Sequence, residues 1–283
     1  MNKIKDKAEF IRVILVYVLI LLITIGISKV IKVTGVKLSL LVSSVILYVP
    51  MVAITLIYTF IKKEKVADAF GFKKIKVSTV FLAILLTIVA MPMSTLANLI
   101  SQLFVPNILA QGMDTFMEES AVLVLLAAAV IAPICEEIVM RGFMQNRLAK
   151  LIPFVASAIL SGFLFGVLHM NLNQFCYAWV LGVVFAFVNR ASGSIFTSMI
   201  MHLVYNIVGM GASIFAYTVA KANNMDIAQT AEATRANTSG MYVSIAICAV
   251  LAGISFILVR LIIRKIAKIE GNELQPVEGT MAE

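Results

Sequence analysis

The sequence predicts an all-α, polytopic integral membrane protein of about eight transmembrane helices in one bundle. Composition carries the first part of this: 61% of the 283 residues are hydrophobic, 13% are charged, and the mean hydropathy is +1.01. A soluble domain of this size needs more polar residues to cover its exterior. The apolar residues also come in long runs rather than stripes, so lipid is their expected solvent. Most basic residues fall in the short segments between those runs, the usual distribution of a membrane protein.

Taken in order, the apolar runs predict spans at residues 10–27, 38–61, 77–104, 121–147, 152–169, 175–188, 195–220 and 241–259. The first follows Lys3, Lys5 and Lys7 but is long for a signal peptide and lacks a small-x-small cleavage pattern, so it reads as a transmembrane helix. The third is long enough to tilt or break, with Pro92 the candidate kink. The sixth is short, as for a helix shielded by its neighbours. Residues 221–240 read as a polar external loop and 269–283 as a polar, disordered tail without the Cys of a prenylation box. No internal repeat is present and hence no sign of the two-fold architecture common among transporters; on composition, residues 1–283 read as a single membrane domain.

With the amino terminus inside, eighteen of the 23 Lys and Arg fall on the cytoplasmic side. Only Lys29, Lys32, Lys37, Lys221 and Arg235 fall outside. That asymmetry predicts a multi-pass cell-membrane protein with both termini in the cytoplasm. The net charge of +8 therefore does not point to nucleic acid. Cys135, Cys176 and Cys248 are scattered through apolar runs and read as packing residues rather than a disulfide framework.

Of fifteen acidic residues, only Glu136 and Glu137 lie within these spans. Ionisable groups at membrane depth are costly, which makes each a functional-site candidate. Glu137 and Arg141 are four apart with the acid first, the favourable order for an ion pair on one helix, and a structural pair would account for both. Glu136 points about 100° away around the helix. The two histidines of the chain, His169 and His202, close the fifth span and occupy the seventh. His202 and Asn206 share a helical face. Counted from the cytoplasmic ends, the three sites lie roughly 20, 25 and 18 Å deep, compatible with one layer.

Glu136-Glu137-x-x-x-Arg141, Phe165-x-x-x-His169 and His202-x-x-x-Asn206, in that order, resemble the signatures of the CAAX-processing endopeptidase and bacteriocin-immunity (Abi) family of intramembrane proteases. The resemblance covers about residues 121–210, the segment expected to hold the catalytic helices. It implies a polar cavity open to the cytoplasm and hydrolysis of a peptide bond in a membrane-associated or lipid-modified peptide. Under it Glu136 is the general base, His169 helps hold the water, and His202 with Asn206 donates to the oxyanion. Glu137 and Arg141 support that arrangement from behind, and Phe165 lines the cavity.

The family is also described as metalloproteases. Glu136, His169 and His202 would be the zinc ligands, a set that suits a catalytic zinc. The chain lacks a His-Glu-x-x-His helix, and Asn206 is a better oxyanion donor than zinc ligand, so the reading favours direct activation of water and leaves zinc open. The expected partners are a peptide or protein substrate and the bilayer; oligomeric state is not encoded in any motif. The alternatives are a non-catalytic scaffold or immunity protein of the same fold and, without repeats to support it, a transporter.

Overall fold

The computed structural model describes residues 3–272, and all regular structure in them is helical. The main helices are α1 (Lys3–Thr34), α2 (Leu40–Ile61), α3 (Val77–Gln102), α4 (Ala121–Leu151), α5 (Phe154–Leu168), α6 (Leu172–Ser192), α7 (Phe196–Ala222) and α8 (Thr238–Glu270). Seven are long and apolar enough to cross a membrane, and α5 is the shorter apolar one. The eight expected runs are thus eight helices. Outward-facing Leu15, Leu22, Val250 and Leu261 are exposed, as required where lipid replaces water.

Several boundaries differ from expectation. The short helix is α5, not α6: its 15 residues span about 22 Å at 1.5 Å per residue. Helix α6 has 21 residues because Asn171 caps its start, accepting from the Gln174 backbone N–H at 2.8 Å, and Gly193 ends it with φ +71°. Asn171 and Gly193 are therefore its caps. Pro92 sits inside α3, which continues to Gln102. Helix α1 begins by Lys3, which brings Glu9 into a span. Helix α8 runs to Glu270, and residues 273–283 of the expected tail lie outside the described residues.

Small residues let α5 and α6 approach closely: a Cβ on Gly182 would lie 2.7 Å from the Cα of Gly162. Two apolar clusters result. One joins Tyr17, Met51, Phe70, Phe143 and Phe165 from α1, α2, α4, α5 and the turn Val66–Phe70. The other joins Leu86, Phe185, Met201 and Ile263 from α3, α6, α7 and α8.

The two ends of the bundle are tied differently. At the end bearing the start of α1 and the end of α8, Glu9 pairs with Lys62 at 2.5 Å and Glu64 with Arg147 at 2.5 Å. Glu270 there accepts from Lys76 N at 2.9 Å. At the opposite end Asp114 pairs with Lys221 at 2.8 Å and accepts from Tyr217, and the Lys221 hydrogen bond holds its carboxyl below the usual range. Arg235 donates to the Gln102 carbonyl at that same end.

Candidate active site

The site begins with an interrupted helix. Residues Leu126–Ile131 and Ile138–Gln145 of α4 are π-helical, flanking an α-helical turn Ala132–Glu137. Pro133 supplies the local reason, since it has no N–H to give and its ring crowds the preceding turn. In the π register Ala132 N–H donates to Ala127 O. The next donor in that register, for the Ala128 carbonyl, would be residue 133, a proline. The Asn206 amide fills the gap, donating from Nδ2 to Ala128 O at 2.8 Å. Such π-turns are frequent at functional sites.

Glu136 and Glu137 project from this turn toward α7. His202 lies between them, with Nδ1 3.0 Å from Glu137 Oε1 and Nε2 3.7 Å from Glu136 Oε2. A carboxylate can only accept, so Nδ1 carries the proton and Nε2 is turned to Glu136. The other oxygen of Glu136, Oε1, accepts from the Tyr48 hydroxyl at 2.8 Å. Behind them, Glu137 Oε1 also lies 3.0 Å from Arg141 Nη1.

Arg141 is 1% exposed and Glu137 fully buried. The guanidinium stacks 4.2 Å from the Phe165 ring and 5.1 Å from that of Phe185, where the absence of a side chain at Gly182 gives it room. Its nitrogens have no hydrogen-bond partner among the described residues, so the carboxylate and the two ring faces compensate its charge. The Phe165 ring meets both imidazoles edge-on, at 4.9 Å from His169 and 5.5 Å from His202. His169 caps α5 and its Nδ1 lies 2.9 Å from Phe165 O, an acceptor, which leaves Nε2 free.

Glu136, Phe165, His169, His202 and Asn206 line one cavity of about 540 Å³. Glu137 and Arg141 lie behind its wall. His202, rather than His169, is the histidine beside Glu136. Sequence reasoning missed Tyr48 and the amide and phenol groups of Asn98, Tyr177 and Tyr205, which line the same cavity as Gln174. Tyr48, one of two tyrosines in the second run, was the available signal, since a buried phenol needs a hydrogen-bond partner.

The cavity lies toward one end of the bundle. Its lining includes Thr24 and Ser28 of α1, Asn98 of α3, Asn107 and Phe116 of the following connection, and Met170 beyond α5. All are in the half of the bundle away from the two helix ends nearest the termini. Cytoplasmic termini and a cavity open to the cytoplasm are therefore incompatible in this fold.

The donors Glu136, His169 and His202 suit zinc chemically, but their placement does not. Among the described residues no three His, Cys, Asp or Glu side chains are grouped to hold a metal ion.

The segment from α4 through the His202 turn can be compared as a unit. Residues 118–208 match a protein family described as type II CAAX prenyl endopeptidase Rce1-like. That segment contains all three motifs, so the resemblance read from seven residues extends over the stretch that holds them. A second comparison aligns 84 residues, at 26% identity, with "Putative membrane peptidase YdiL" of Bacillus subtilis (strain 168). The alignment covers 30% of this chain and 34% of that relative, about a third of the relative's length. No solved structure matches. Tyr48 lies outside the matched segment.

Proposed function

We propose that this protein is an intramembrane endopeptidase in which Glu136 activates the water that hydrolyses a peptide bond of a membrane-associated or lipid-modified peptide. The observation that carries the reading is the pairing of Glu136 Oε2 with His202 Nε2, 3.7 Å apart on the cavity wall, inside an Rce1-like segment. A water bridging those two acceptors donates one hydrogen bond to each. Tyr48 holds the other carboxylate oxygen, so Oε2 is the basic one.

The reaction then balances with these residues. Glu136 takes a proton from water as the oxygen adds to the substrate carbonyl. The tetrahedral oxyanion accepts from the second amide hydrogen of Asn206, whose first is held by Ala128. The C–N bond breaks as Glu136 returns the proton to the leaving nitrogen. Glu137 keeps His202 in the tautomer that faces the water, and His169 Nε2 is available to the same water or to the substrate.

Both termini are cytoplasmic in this reading, on the asymmetry of basic residues. The deciding experiment is an in-membrane cleavage assay on wild type and Glu136→Gln. Gln preserves shape and can still accept from Tyr48, so the variant should fold normally and cleave nothing. Substantial activity in Glu136→Gln would remove the general base from the scheme.

A further inference from the structure

The cavity is shut on one side and open on the other. From Glu137 toward the end that bears Glu9 and Glu270, residues 139–145 of α4 form an unbroken run of seven buried residues. Phe70 of one apolar cluster and Val188 of the other are both fully buried. A separate pocket of about 410 Å³ on that side, lined by Gln145, Asn189 and Arg190, shares no lining residue with the 540 Å³ cavity. In the other direction the lining continues through Asn98 and Gln174 to Leu40, Asn107 and Met170, at or beyond helix ends. Met170 is exposed.

Charge says which solution each side meets. The shut side carries the loop with Lys62, Lys63, Lys65, Lys73, Lys74 and Lys76, and beyond it Arg147, Lys150, Arg190 and the basic end of α8. On the open side the five basic residues Lys29, Lys32, Lys37, Lys221 and Arg235 are matched by five acids, Asp114, Glu118, Glu119, Asp226 and Glu232. An excess of Lys and Arg marks the cytoplasmic side of a membrane.

The lining also restricts what can enter. Among the described residues no Lys or Arg lines the cavity, and Glu136 is the one carboxylate that does. The remaining surface is apolar or bears neutral amides and hydroxyls. An acidic side chain brought in with the substrate would lose water without gaining a cation.

We infer that the cavity takes its substrate from the extracytoplasmic side of the membrane, and that this substrate is a peptide segment free of acidic residues around the scissile bond. The substrate half of this rests on the peptidase reading; the direction of the cavity does not. Prenyl or other lipid modification made in the cytoplasm is then not by itself sufficient to present a substrate, because the segment must first reach the outer face.

The test keeps the two halves apart. In full-length protein with Cys135, Cys176 and Cys248 changed to Ala, single cysteines are placed at Gln174 in the cavity and at Lys63 on the basic side. A membrane-impermeant sulfonated maleimide should label Gln174→Cys in intact cells and Lys63→Cys only in inside-out vesicles. Labelling of Gln174→Cys from the inside alone would overturn the inference. In parallel, impermeant quenched-fluorescent peptide pools, one uncharged and one Asp-containing, are added to right-side-out and inside-out vesicles with Glu136→Gln as blank. Hydrolysis of the uncharged pool in right-side-out vesicles alone is expected. Hydrolysis confined to inside-out vesicles, or equal cleavage of the acidic pool, refutes it. Outside labelling with hydrolysis of neither pool would instead count against the peptidase reading and leave the direction of the cavity standing.

Discussion

Glu137 Oε1 lies 3.0 Å from Nδ1 of His202 while the same oxygen lies 3.0 Å from Arg141 Nη1. The carboxylate thus ties a cation on its own helix to an imidazole on another. It sets which nitrogen of His202 faces Glu136, as a buried carboxylate does behind a catalytic histidine. Neutralising it should free the wrong tautomer. Glu137→Gln is expected to lower kcat by up to about 10⁴-fold with little change in KM, the size of the effect when such a carboxylate is made neutral. Steady-state kinetics in proteoliposomes check this; equal loss in kcat and thermal stability, with no tautomer effect seen by NMR of His202, would make Glu137 a packing residue.

Arg141 is expected to act on stability. Arg141→Ala leaves the carboxylate of Glu137 buried without its cation, which costs about 3–5 kcal/mol. Arg141→Lys should recover only part of that, because an ammonium cannot stack flat between Phe165 and Phe185. Thermal unfolding of the two variants in detergent gives the order, and a lysine variant as stable as wild type would show that charge alone suffices.

Asn206 has two separable duties. Removing it orphans the Ala128 carbonyl, at a cost of about 1–3 kcal/mol. It also removes an oxyanion donor, which should cut kcat by roughly 10²–10³-fold with little change in KM. Pro133→Ala restores a backbone N–H at the position whose absence left Ala128 unpaired. The double variant Pro133→Ala/Asn206→Ala should therefore regain stability over Asn206→Ala but no activity. Activity returning along with stability would mean that Asn206 serves α4 alone.

Tyr48 should matter to rate although it lies outside the motif-bearing segment. A hydrogen bond to a charged group is worth about 1.5–3 kcal/mol. Tyr48→Phe is thus expected to slow cleavage by roughly tenfold or more, each 1.4 kcal/mol being tenfold. Unchanged turnover in Tyr48→Phe would remove Tyr48 from the positioning of Glu136.

Metal dependence is read independently of activity. Purified protein is expected to carry less than one zinc per chain by elemental analysis and to cleave in the presence of a strong chelator. One zinc per chain, lost with His169→Ala or His202→Ala, and activity restored by adding the metal back, would replace water activation by Glu136 with metal-assisted hydrolysis.

The sequence by itself determined the class of this protein and the seven residues of its motifs. Apolar runs of membrane length can only be buried as helices in lipid, and a spacing of four residues places Glu137 beside Arg141 and His202 beside Asn206 whatever surrounds them. The family resemblance was legible for the same reason, since three local spacings in order carry it. Contacts between helices were not legible. Adjacent Glu136 and Glu137 point apart on their helix, yet both reach His202 because an imidazole has a nitrogen on either side of its ring. Tyr48 meets Glu136 across 88 residues of chain. Helix α6 looked short because Asn173 and Gln174 near its start and Asn189 and Arg190 near its end interrupt the apolar run without ending the helix. The direction of the cavity could not be read from depth along any one helix, since the depths of the three motifs agree only within the error of their boundaries. Packing of α5 on α6 at Gly162 and Gly182, together with the buried π-turn around Arg141, closes one end of the bundle. Those are long-range contacts between surfaces, and only the tertiary structure decides which surfaces meet.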